Sequence, residues 1–87
     1  NSSEASNANA AEFLVRIGTR VSKMVALLNG DGSVTYNEYS IINNGSESPT
    51  VSVSYSFGLG SNPSSWTVSV TNVSAGDTFS VSPIFIA

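Results

Sequence analysis

Eighty-seven residues without a cysteine or a histidine make one small domain with a thin core, and they exclude disulfides, thiol chemistry and the usual zinc and haem sites. Only 10% of the residues are charged while 18 are serine, so solubility rests on hydroxyls and amides, a bias that fits export better than the cytosol. At a net charge of −3, the three cations Arg16, Arg20 and Lys23 cannot neutralise a run of phosphates, which excludes nucleic acid and gives anionic membranes little to attract.

In chain order, Asn1 to Ala10 is polar and lacks the basic and apolar regions of a signal peptide, so the expectation is the mature form of an exported chain. Residues 1–11 are expected as a polar arm and 12–87 as a single domain. The segment Glu12 to Leu28 fits two periods. As a strand, Phe13, Val15, Ile17, Val21, Val25 and Leu27 fall on one face, with Lys23 spoiling it. As a helix, Phe13, Ile17, Val21, Met24 and Leu28 form a stripe. The β-branched residues and Gly18 tilt the balance toward strand.

Asn29-Gly30-Asp31-Gly32 is a turn, and Ser33 to Asn43 reads as a strand. Val34 and Tyr36 share one of its faces and Tyr39 and Ile41 the other, with a bulge expected near Asn37 and Glu38. A strict period of two then appears three times: Val51, Val53, Tyr55, Phe57; Trp66, Val68, Val70; and Phe79, Val81, each set alternating with Ser or Thr. Gly58 to Ser65 and Ala75-Gly76-Asp77 carry turn chemistry. Pro83 cannot donate to a ladder and predicts an edge or a bend. Ile84-Phe85-Ile86-Ala87 is apolar on both faces. No run of 18 apolar residues exists, so no membrane insertion is expected. Strands this short and regular predict an antiparallel sandwich or barrel.

The run Val21-Ser22-Lys23-Met24-Val25, the turn and strand Asn29 to Tyr36, the stretch Tyr39 to Ser46 and the later Val73 to Val81 together resemble the immunoglobulin-like conserved-repeat domains of bacterial and archaeal surface proteins. The resemblance implies an all-β, immunoglobulin-like antiparallel sandwich and a spacer or assembly role with no catalytic site. It departs from the family around Asn37 and Glu38 and at Gly18. The alternative architecture is an N-terminal helix on a small β-sandwich, a pilin-like plan.

Few residues offer chemistry. Asn29, Asp31 and Glu38 fall at ligand positions of a calcium loop, but the first ligand position would be Leu27, and Asn-Gly and Asp-Gly are favoured hairpin turns, so the turn reading is preferred. Without histidine the serines lack an ordinary activator, and Glu38, Glu47 and Asp77 sit where elevated pKa values are not expected, so no catalytic residues and no cofactor are assigned. Trp66 is a sugar-stacking candidate, with burial the preferred reading. Asn44 and Asn72 open glycosylation sequons, Asn44-Gly45-Ser46 and Asn72-Val73-Ser74.

The functional expectation is a non-enzymatic structural subunit at the cell surface, forming a homopolymeric filament or array through strand edges and terminal segments. Phe13, Val15 and Ile17 are the expected donated or packed segment, and Ile84, Phe85 and Ile86 part of the receiving edge. A carbohydrate-binding or adhesion module that takes cell-surface glycans is the alternative, and a degenerate calcium-binding loop domain the third reading.

Overall fold

A computed structural model describes residues 1–46 and 48–86. It holds seven strands and, among the described residues, no helix: β1 (Ser2–Ala5), β2 (Ala10–Ile17), β3 (Arg20–Leu28), β4 (Val34–Asn43), β5 (Thr50–Ser56), β6 (Ser65–Thr71) and β7 (Phe79–Ile86). They form two antiparallel sheets packed as a sandwich, three strands in the order β1-β6-β5 and four in the order β4-β3-β2-β7. The helical option for Glu12 to Leu28, and with it the pilin-like plan, is thereby corrected. The sandwich itself is as expected.

The larger sheet has Greek-key order. Three hairpin-connected strands, β2, β3 and β4, are followed by an excursion through the other sheet, and β7 returns beside β2. An immunoglobulin domain puts its second and third strands in opposite sheets, whereas here they pair, so the likeness holds at the level of the sandwich and not of its strand order.

Gly18 explains why the first half of the chain reads ambiguously. Ile17 pairs directly with Arg20, leaving Gly18 and Thr19 as a two-residue hairpin turn with positive φ (57°) only at its first position, the conformation that favours glycine there. A two-residue turn puts the paired residues on the same face but shifts the parity of the numbering. Ala11, Phe13, Val15 and Ile17 are therefore buried before the turn, and Arg20, Ser22, Met24 and Ala26 after it. Val21, Val25 and Leu27, expected beside Phe13, lie on the outer face, and Lys23 joins them there.

The core fills the space between the sheets. Trp66 from β6 packs against Phe13 from β2 with ring centroids 6.1 Å apart, and Tyr55 and Phe85 complete the aromatic cluster at 5.1 Å from Trp66 and 6.3 Å from Phe13. Val15, Ile17, Met24, Val51, Val53 and Val68 surround it. Each such side chain contributes about 1.5–3 kcal/mol by leaving water, which is how a chain this small holds together without cross-links.

In β4 the alternation runs unbroken from Val34 to Tyr39. The bulge lies further on than expected, at Ser40 and Ile41, which together oppose Ser22, and Ser40 takes a φ of 52°. It returns Ile42 to the outer face opposite Val21. Pro83 lies within β7, an edge strand.

Candidate functional site

The segment expected as an arm over 1–11 belongs to the sandwich. Ser2–Ala5 pairs with β6, and Ala10 and Ala11 open β2. The link between them is pinned: Ser6 N donates to Ser64 O at 3.0 Å, Leu28 N to Asn9 O at 2.8 Å and the Trp66 indole Nε1 to Ala8 O at 3.2 Å. Donated to another copy, β1 would have to leave these bonds.

Phe13, Val15 and Ile17 are wholly buried between the sheets of their own chain, so as contact residues for a second copy they are misplaced. Ile84 and Ile86 do lie on the edge strand β7 and point outward, whereas Phe85 points inward against Phe13. The sugar-stacking assignment of Trp66 is corrected too, because its ring is entirely buried and its Nε1 is satisfied by Ala8. Large aromatic area is worth more in a core this thin than on a rim.

The calcium candidates are not brought together. Asp31 Oδ1 accepts from the backbone N and the hydroxyl of Ser33, at 3.0 and 2.6 Å, bonds that hold its carboxyl below the usual range. Asn29 Nδ2 donates to the Ser33 and Thr35 hydroxyls. Both belong to the β3–β4 turn. Glu38 stands four positions along β4 from Val34, on the order of 13 Å away. There its Oε2 accepts from Arg20 Nη1 at 2.9 Å and from the Ser22 hydroxyl at 2.5 Å. Burial pushes the Glu38 carboxyl up, but the two hydrogen bonds and the charge of Arg20 outweigh it and leave the group below its ordinary value. The arrangement neutralises a buried guanidinium; Ser22, fully buried, offers its hydroxyl to no substrate.

Asn44 and Asn72 are exposed at the same end of the sandwich. A cleft of about 280 Å³ there is lined by Ser46, Ser48, Asn72, Val73 and Ser74, which brings the hydroxyls of both sequons into one place. Asn72 Nδ2 donates to Ser48 O at 3.0 Å, and Asn72 takes a φ of 62°, so its carboxamide is engaged while it lines the cleft. Glu47, an acid candidate, and Ala87, the last of the apolar terminal residues, lie outside the described residues.

The sheet edges carry the information that periodicity alone did not. Proteins guard edges by shortness, proline, bulges or charge. Edge strand β1 has four residues, β7 contains Pro83, and β4 bulges at Ser40 and Ile41. Edge strand β5, Thr50–Ser56, has none of these devices: seven uncharged residues without proline, in unbroken register with β6. The sequence signal was present in Thr-Val-Ser-Val-Ser-Tyr-Ser, but only the sheet order makes that strand an edge.

The chain matches no protein-family model, no curated protein and no solved structure.

Proposed function

We propose that this chain is a non-enzymatic structural subunit of an extracellular filament or surface array, whose copies associate through strand edges. The observation that carries the reading is β5, an unguarded edge of seven uncharged residues whose outward backbone groups lack a strand neighbour within the sheet order. An added strand satisfies those groups, and the serine side chains beside them impose no repulsion. The resemblance of residues 21–46 and 73–81 to repeat domains of surface proteins points the same way, as does the hydroxyl-rich, thiol-free composition.

The experiment is sedimentation and negative-stain microscopy of the intact chain beside the double variant S52K/S54K, which places two like charges on β5 while leaving Val51 and Val53 in the core. Concentration-dependent oligomers or fibres are expected for the intact chain, with a marked loss in the variant. A strictly monomeric intact chain, or assembly indifferent to the two lysines, sinks the reading.

A further inference from the structure

Three connections meet at one end of the sandwich. Asn44 N donates to Thr19 O at 3.2 Å, Gly18 N to Thr78 O at 2.8 Å and Asn72 Nδ2 to Ser48 O at 3.0 Å, which ties the β2–β3 turn to the loops that follow β4 and β6. Both sequons lie in this cluster, Asn44-Gly45-Ser46 directly after β4 and Asn72-Val73-Ser74 directly after β6. The fold holds the same motif in two different ways. At Asn72 the amide nitrogen is bonded across the cleft to the neighbouring loop, and the backbone takes a φ of 62°, a left-handed conformation that asparagine adopts more readily than most residues. A sugar donor reaches that nitrogen only after the hydrogen bond is broken and the turn loosened. Asn44 differs on both counts. It is exposed, its φ is not positive, and its carboxamide makes no hydrogen bond among the described residues. Only the backbone around it is anchored, through Asn44 N to Thr19 O and through Gly45 N, which donates to Asn43 Oδ1 at 3.1 Å. Ser46, two positions on, is exposed as well.

We infer that Asn44 is the site at which the folded chain takes an N-linked glycan, and that Asn72 is withheld from the same reaction. The donor is an oligosaccharide carried on a polyprenyl pyrophosphate. Asn44 Nδ2 attacks the anomeric carbon of the first sugar, the bond from that carbon to the pyrophosphate oxygen breaks, and the lipid pyrophosphate leaves. The amide proton passes to a carboxylate of the transferase. Breaking one hydrogen bond and relaxing one left-handed residue disfavours Asn72 about tenfold or more. Because the choice comes from the fold and not from the motif, it disappears when the chain unfolds. The inference rests on the extracellular part of the proposed function and does not need the β5 edge. A glycan on Asn44 starts beyond the end of β4 and not on β5, so it adds hydrophilic bulk at the loop end without occupying that edge.

The experiment incubates the purified folded chain with an oligosaccharyltransferase and a polyprenyl-pyrophosphate oligosaccharide of defined mass, then reads intact mass and maps the modified peptide. One glycan is expected, on Asn44. Asn44→Gln and Ser46→Ala abolish it, and Asn72→Gln leaves it in place, with buried-type Trp66 emission confirming the fold of each variant. The double variant F13D/V15D, which puts two carboxylates in the core and unfolds the full chain, is expected to be modified at both sequons. Transfer to Asn72 of the folded chain at a rate comparable with Asn44, no transfer to Asn44, or an unfolded variant that still spares Asn72 overturns the inference. Transfer is read on the chain itself, so a strictly monomeric chain glycosylated at Asn44 removes the edge reading and leaves this one standing.

Discussion

The indole Nε1 of Trp66 donates to the carbonyl oxygen of Ala8 at 3.2 Å, tying the middle of one sheet to the link that carries the chain into the other. The bond satisfies both a buried indole donor and a backbone acceptor in a segment that makes no ladder bonds of its own. Trp66→Phe should therefore cost about 2–3 kcal/mol, from lost ring volume and an unpaired Ala8 carbonyl, measured by denaturant unfolding. Native emission of Trp66 should be blue-shifted and unmoved by added glycans; a shift on glycan addition would restore the sugar-stacking alternative.

Arg20, Ser22 and Glu38 make the fold sensitive to acid. The folded Glu38 carboxyl lies below its ordinary value of 4.5, so its contribution is fully present above about pH 4.5 and is lost as pH falls through the lower folded value. Glu38→Gln should cost about 2 kcal/mol at neutral pH, discounted for the partial exposure of the carboxylate, because Arg20 stays buried without its counter-charge. Unfolding free energy measured from pH 7 to pH 3 should fall in the acid limb for the native chain and fall less steeply for the variant.

Gly18 has a φ of 57°, and a β-carbon there would come within 3.1 Å of Asp77 Oδ1. Gly18→Ala should destabilise by about 1–2 kcal/mol, from backbone strain and displacement of the β6–β7 loop. An alanine variant as stable as the native chain in thermal melts would show that the turn relaxes freely.

The β3–β4 turn is closed by its own side chains, so calcium should leave the melting temperature where magnesium leaves it. The double variant N29A/D31A should melt lower by the same amount with either ion or with chelator, since what it loses are the bonds to Ser33 and Thr35. A calcium-specific rise that the variant abolishes would revive a metal site.

Much of the sandwich was legible because side chains alternate strictly where one face is buried. Val51, Val53, Trp66, Val68, Phe79 and Val81 could be placed inward from spacing alone. The helix–strand ambiguity of residues 12–28 arose from one feature: a two-residue turn at Gly18 and Thr19 inverts parity, and an alternation that changes phase midway imitates a helical stripe. Trp66 at the start of an alternating strand already favoured the core over a sugar site. What spacing could not show was which strands stand beside which, and so that the terminal segment Ser2–Ala5 pairs within its own chain.

The sequence by itself determined the fold class: apolar residues at every second position bury one face of each strand, which makes an all-β sandwich. Only the tertiary structure decided which surfaces are left over, because an edge or an outer face is defined by the neighbours a strand has and lacks. That is why β5 emerged as the open edge, Phe13, Val15 and Ile17 withdrew into the core, and Leu14, Val25 and Leu27 came to the surface.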